Sequence, residues 1–129
     1  MNIDHRKPVY VQVIRYFKEQ IATGMLEPGQ KIPSRRELAS RLKINPNTSQ
    51  RAYKEMEEEG LIYTEQNQPS KITKDEQILR SVREELISQA VNTFVRSIRS
   101  IHVPVEDVLE LVKEKYEQEE QGGDMNDRG

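Results

Sequence analysis

Pro46 stands between two short helical patterns and is the residue that most limits how this chain can fold. The first pattern, residues 34–42, opens with Ser34 followed three residues later by Glu37, the spacing of a helix-capping box. The second pattern, residues 47–60, keeps apolar side chains at helical intervals and ends at a glycine. Because proline removes a backbone donor and disfavours helical geometry at the preceding residue, one continuous helix is excluded. The sequence therefore predicts two helices joined by a tight turn, the helix-turn-helix arrangement.

The segments on either side predict the remainder of a small domain. Between Pro8 and Gly24, apolar residues recur at helical spacing and predict a first helix. After the helical pair, two β-prone segments, residues 61–64 and 71–73, flank a polar turn and predict a two-stranded wing. An isolated hairpin is only marginally stable, so the wing is expected to pack on the helices.

The C-terminal half has a different pattern. A long helix is predicted from Asp75 to about residue 101, followed after Pro104 by a second amphipathic helix up to about residue 120. Their apolar stripes are broad, and the chain has no further large domain to cover them. Pairing with a second copy is the simplest explanation. The predicted interface consists of Leu79, Val82, Leu86, Ala90, Phe94, Ile98, Ile101, Val108, Leu109 and Val112.

The predicted fold class is mainly α with a small β-wing: a winged helix-turn-helix domain over residues 1–74 and a two-helix dimerisation segment over residues 75–120. Residues 121–129 form a polar tail that is expected to be disordered. Hydrophobic residues make up only 34% of the chain and tryptophan is absent, so the core must be thin. A thin core also favours a homodimer.

The net charge of −2 is unevenly distributed. Residues 31–54 contain seven basic side chains and a single acidic one, Glu37, whereas residues 74–129 contain 8 basic and 13 acidic side chains. The basic concentration coincides with the predicted helix-turn-helix. This is the charge pattern expected of a surface that binds nucleic acid.

Two stretches resemble a known family. Residues 24–39, Gly-Met-Leu-Glu-Pro-Gly-Gln-Lys-Ile-Pro-Ser-Arg-Arg-Glu-Leu-Ala, and residues 45–62, with Asn-Pro-Asn-Thr, Arg-Ala-Tyr and Glu-Gly-Leu-Ile, resemble the winged helix-turn-helix of GntR-type bacterial transcription regulators. The short two-helix segment is similar to the YtrA subfamily, which lacks a large effector-binding domain. The resemblance implies a regulator that binds double-stranded operator DNA and controls a neighbouring operon, often one encoding an ABC transporter, and the predicted mode is repression by a homodimer. The N-terminus has no apolar run of signal-peptide length and the chain has no cysteine, so a cytoplasmic, nucleoid-associated protein is predicted.

The predicted DNA contacts combine this resemblance with the helix faces. The resemblance implies that Arg36 contacts DNA, while Ser34, Asn47 and Thr48 stand at predicted helix N-termini, where backbone N–H groups favour phosphates. For Ser34 a purely capping role is the alternative, and for Arg36 a solvated surface role. The complete predicted set is Ser34, Arg35, Arg36, Asn45, Asn47, Thr48, Gln50, Arg51, Lys54 and Lys71.

The predicted wing departs from the family pattern. Where GntR-type wings usually have Gly-x-Gly-Thr-Phe-Val, this chain has Asn-Gln-Pro-Ser-Lys-Ile over residues 67–72, so both glycines are absent. Asn67 can still adopt a left-handed turn, and Lys71 can reach a phosphate.

Other functions find less support. The chain has only two histidines, His5 and His102, which lie far apart in sequence, and no cysteine, so no catalytic triad or thiolate metal site is predicted. A carboxylate-assisted metal site is the less favoured alternative, and no enzyme, metal or cofactor is predicted. No apolar run of membrane-spanning length occurs, and the acidic C-terminal half would be repelled by anionic lipids. A protein-interaction module using the acidic helices stays open as a rival. A small effector would have to use a cleft beside the dimer helices or within the dimer interface.

Overall fold

A computed structural model of the chain describes the backbone of residues 1–127 and the side chains of residues 1–121. Three helices are followed by a short hairpin and two longer helices, which confirms the predicted fold class. The elements are α1 (Val9–Ala22), α2 (Arg35–Leu42), α3 (Pro46–Glu58), β1 (Ile62–Tyr63), β2 (Lys71–Ile72), α4 (Glu76–Ile98), a 3-10 turn (Arg99–Ile101) and α5 (Val105–Asp127). The chain divides into two compact units, of which the first is Met1–Ala90 and the second begins at Val91.

Side-chain caps set the starts of α2 and α3. The Ser34 Oγ atom accepts a hydrogen bond from the Glu37 amide at 3.1 Å, and the Asn45 Oδ1 atom accepts one from the Asn47 amide at 2.8 Å. Pro46 occupies the first turn of α3, where the missing N–H would have no helical partner. The proline that ends the first pattern therefore also begins the second helix. The predicted helix-turn-helix is confirmed.

Helix α3 supplies the centre of the core. Ala52, Tyr53 and Met56 are fully buried, and the Tyr53 ring meets Phe17 of α1 edge to face, with 6.1 Å between ring centroids. The Tyr53 hydroxyl donates a hydrogen bond to the Pro33 carbonyl, which leads into α2. One side chain thus holds α1, α3 and the approach to α2 together.

The wing is larger than the sequence indicated. β1 and β2 pair antiparallel, with Ile62 opposite Ile72, as predicted. The segment before α2 also joins the sheet: the Ile32 amide donates to the Ser70 carbonyl at 3.0 Å, and the Ile72 amide donates to the Gln30 carbonyl at 2.9 Å. These bonds anchor an otherwise marginal hairpin to the helical domain. Lys31 and Ile32, directly before Pro33, are too short a segment to give a strand pattern, so this pairing was not predicted.

The first half of α4 belongs to the winged domain. Val82 is only 2% exposed and lies in the core of the first unit, so the prediction that it contributes to a dimer interface is wrong. Leu79 and Leu86 pack partly against the same core. A broad apolar stripe does not reveal which part is covered by the chain itself. The first compact unit consequently extends to Ala90, beyond the predicted boundary at residue 74.

The second unit exposes many large apolar side chains. Phe94 is 41% exposed and Leu109 60% exposed, and Val91, Ile101 and Val112 are similarly accessible. Among the other predicted interface residues, Ala90 is exposed, while Ile98 and Val108 are half-buried. Helix α5 continues to Asp127, so it overlaps the tail that was predicted over residues 121–129; residues 128 and 129 lie outside the described residues.

Replacing Tyr53 with Phe is expected to lower the unfolding free energy by about 1 kcal/mol at pH 8, because the Pro33 carbonyl loses its donor. Burial raises the pKa of Tyr53 from 10.0 to about 12, with the nearby Arg35 charge opposing the shift. The folded state therefore holds this proton more tightly than the unfolded state. The stability contributed by the protonated Tyr53 hydroxyl is complete below pH 10 and is lost as the pH rises towards 12. Urea unfolding should show the gap between parent and Tyr53→Phe narrowing from pH 8 to pH 11; an unchanged gap would contradict this assignment.

Candidate nucleic-acid interface

The predicted contact residues all lie on the first unit. Most are at the start of α2 or in the first half of α3, whereas Lys54 lies further along α3 and Lys71 lies on β2. Most of these side chains are exposed, and Arg35, Thr48 and Lys71 are half-buried. Helix N-termini carry partial positive charge and free N–H groups, which favour anions such as phosphate. We name the exposed polar surface here the α2–α3 face; it consists of Ser34, Arg36, Asn45, Asn47, Gln50, Arg51 and Lys54.

The two adjacent arginines of α2 have different surroundings. Arg35 forms an ion pair with Glu57 at 2.9 Å between Nη2 and Oε1, and its guanidinium lies 5.8 Å from the centroid of the Tyr53 ring. Its carbonyl also accepts a hydrogen bond from Ser49 Oγ at 2.8 Å. Arg35 thus clamps α2 to α3. Arg36 is exposed, and no ion pair of its side chain is found among residues 1–121.

Arg51 of α3 is exposed, but its guanidinium rests on Tyr10 of α1. Its guanidinium carbon lies 3.8 Å from the centroid of the Tyr10 ring, and its Nη2 atom donates to the Tyr10 hydroxyl at 3.0 Å. Glu55 lies one turn further along α3, with 3.6 Å between the charged atoms. Gln50 and Lys54 are exposed on the same helix. Among the polar residues of α3, Gln50 and Lys54 are therefore the more available for a ligand in this conformation.

The wing loop, residues 65–69, is exposed throughout. Asn67 has a positive φ of 59°, so it adopts the left-handed turn expected of it in place of a glycine. Lys71 donates to Gln68 Oε1 at 3.1 Å, which directs its ammonium group along the loop. The wing can therefore present one cation to a backbone without the family's glycines.

Two of the acidic side chains at the end of α3 and at its C-cap pair with basic side chains of other helices. Glu57 pairs with Arg35, and Glu59 pairs with Lys18 of α1 at 3.4 Å. Lys18 also pairs with Glu85 of α4 at 3.0 Å, joining three helices. Sequence reasoning missed Glu57 and Tyr10 because their partners lie 22 and 41 residues away in the chain. Only the helical spacing of charges gave a signal, and it does not identify distant partners.

The described residues offer neither a metal-binding cluster nor a membrane-spanning helix. Over the part of the chain that the structure describes, no three His, Cys, Asp or Glu side chains are grouped so that they could hold a metal ion. Within that part, no helix has the length and apolar character needed to span a membrane.

Comparison with known proteins places this chain in a family. The family model described as "Bacterial regulatory proteins, gntR family" matches residues 9–72. The HTH-type transcriptional repressor YtrA of Bacillus subtilis is 34% identical over 98% of this chain and 99% of its own length. The HTH-type regulator YhcF of the same organism, itself uncharacterized, is 34% identical over 83% of this chain and 88% of its own length.

A solved structure agrees with these sequence relatives. A GntR family transcriptional regulator from Listeria monocytogenes superimposes with a TM-score of 0.78 at 34% identity, covering 87% of this chain and 98% of that one. Fold, family model and full-length relatives all point to the same class of protein. The chain is therefore a member of the GntR family, a DNA-binding transcription regulator rather than an enzyme, with a YtrA protein among its full-length relatives.

Proposed function

We propose that this protein is a homodimeric, sequence-specific repressor that binds operator DNA through the α2–α3 face. The observation that carries the proposal is the set of exposed polar side chains at two adjacent helix N-termini, on a domain whose fold is that of DNA-binding regulators. The repressor assignment is supported by the full-length likeness to YtrA of Bacillus subtilis. The resemblance to the YtrA subfamily implies that the target is a neighbouring operon, for example a transporter operon, and we place the site of action in the nucleoid.

The contacts divide into two kinds. Arg36 and Gln50 are both exposed, and the Arg36 guanidinium makes no ion pair among residues 1–121; both side chains are assigned to base edges in the major groove. Lys54 and Lys71 are assigned to phosphates. The polar groups at the helix N-termini are also assigned to phosphates: Ser34, Asn45, Asn47 and Thr48. Arg35 is assigned to the α2–α3 clamp, and Arg51 contacts DNA after leaving Tyr10.

Dimerisation is proposed to use the second unit. Its exposed apolar side chains include Phe94, Leu109 and Val112. Together they form a larger apolar surface than a protein normally leaves in contact with water. A dimer reads two half-sites related by its own twofold axis, which raises specificity above that of a single domain. A small effector would act by changing the spacing of the two winged domains.

Salt dependence tests the phosphate contacts. On a duplex selected from a random-sequence pool by the full-length protein, affinity should fall steeply between about 50 and 200 mM salt. Lys54→Ala should reduce the slope of log affinity against log salt by about 1 for each subunit, since one released counterion is lost with each lysine. Lys113→Ala removes the same charge from α5 and should leave the slope unchanged.

A slope equally affected by both substitutions would remove Lys54 from the interface. A parent protein whose affinity for duplex DNA hardly responds to salt would favour the rival, a protein-interaction module with acidic helices.

A further inference from the structure

Glu57, at the end of α3, connects two DNA-facing elements without belonging to the α2–α3 face. Its Oε1 atom lies 2.9 Å from Arg35 Nη2 and 3.0 Å from Thr64 Oγ1. Arg35 is the first residue of α2, and Thr64 follows β1 at the base of the wing loop. One carboxylate oxygen therefore joins α2, α3 and the wing.

The hydrogen bonds at this point form a chain with a defined direction. Thr64 Oγ1 and Ser70 Oγ are 2.6 Å apart across the base of the wing loop. Because a carboxylate can only accept hydrogen bonds, the Thr64 hydroxyl donates to Glu57. The Ser70 hydroxyl must therefore donate to Thr64 Oγ1. Ser70 is buried, and its carbonyl also accepts from the Ile32 amide. The loop is thus closed by a hydroxyl pair whose orientation depends on Glu57.

Charge gives Glu57 a second effect. Arg35 and Glu57 are each about one-third exposed, with side-chain accessibilities of 33% and 34%. A pair in this position is neither fully screened by water nor fully desolvated, and the carboxylate keeps the Arg35 guanidinium on α3. Without that charge, Arg35 would be free to reach any nearby phosphate, and such contacts do not depend on sequence.

We propose that Glu57 is a positioning residue for DNA recognition, which sets the wing relative to α2 and α3 and keeps Arg35 from making non-specific phosphate contacts. This inference rests on the proposed DNA-binding function of the α2–α3 face. Its distinctive consequence is that a carboxylate outside the α2–α3 face increases sequence discrimination. Removing its charge should tighten binding to the wrong DNA while weakening binding to the right one.

The test compares Glu57→Gln with Glu58→Gln in the full-length protein. Glu58 is the exposed neighbour, so its substitution removes the same charge without touching the wing. The probes are the selected duplex and a scrambled duplex of equal length and composition. Glu57→Gln should reduce the ratio of the two affinities about tenfold, whereas Glu58→Gln should shift both affinities equally. Thr64→Val should reduce the ratio without strengthening binding to the scrambled duplex, because it changes no charge.

Hydrogen exchange in the free protein separates this inference from the proposed function. Amide exchange at the wing, including Gln68, should be faster in Glu57→Gln and Thr64→Val than in the parent and unchanged in Glu58→Gln. Equal discrimination ratios for Glu57→Gln and Glu58→Gln, or unchanged wing exchange in Glu57→Gln, would overturn the inference. If the parent selected no duplex, the proposed function would fail, and the wing exchange would still decide whether Glu57 positions the wing.

Discussion

The Phe94→Glu variant is expected to be a monomer and to bind the selected duplex at least about 100-fold less tightly than the parent. Phe94 is 41% exposed in the single chain and lies among other apolar residues of the second unit. If a second copy covers this region, a carboxylate there would be desolvated without a partner, a cost of several kcal/mol. Losing the dimer also removes the gain in effective concentration that comes from binding two half-sites at once.

Light scattering and DNA titration at micromolar protein measure both effects. The control is Asn92→Glu, which places the same carboxylate two residues away at an exposed polar position of the same helix. Asn92→Glu should remain a dimer and bind as the parent does. A dimeric Phe94→Glu protein would exclude Phe94 from the interface, and a monomeric parent would exclude the proposed dimer altogether.

Arg36→Ala should reduce affinity for the selected duplex by at least about 30-fold and relax the sequence preference at the bases that Arg36 reads. A bidentate contact between arginine and guanine contributes about 1–3 kcal/mol of discrimination, and a dimer would lose it in both half-sites. Arg41→Ala is the matched control because Arg41 lies on the same helix, is 66% exposed and pairs with Glu37. Repeating the selection from the random pool with each variant shows whether the preferred sequence changes. Equal losses of affinity for Arg36→Ala and Arg41→Ala would mean that Arg36 contributes only its positive charge and reads no base.

The sequence predicted the fold correctly wherever interactions between neighbouring residues determine it. Ser34, Asn45 and Pro46 fix the starts of α2 and α3 through their own backbone neighbours, so their spacing is sufficient. Gly60 has a positive φ of 77° after α3, as its position at the end of the helical pattern predicted. Family resemblance added the identity of the domain.

Contacts between segments far apart in the chain could not be predicted from the sequence. Val82 looked like an interface residue because an apolar stripe has the same period whether a second chain or the same chain covers it. The pairing of Ile32 with Ser70, the ion pair of Arg35 with Glu57 and the packing of Arg51 on Tyr10 all join segments far apart in sequence. Residue types alone identified Arg35 and Arg51 as cations near the site, but not which carboxylate or ring holds each of them.

Site-directed cleavage of bound DNA tests most directly whether the α2–α3 face lies in the groove. The chain has no cysteine, so Gln50→Cys offers a single attachment point for an iron chelate that cuts nearby DNA. On the selected duplex, this derivative should cut at two symmetric positions separated by about one helical turn or a multiple of it. The Glu58→Cys derivative, whose reagent lies at the far end of α3, should cut weakly or not at all. Strong cutting from position 58 with none from position 50 would contradict the proposed recognition surface.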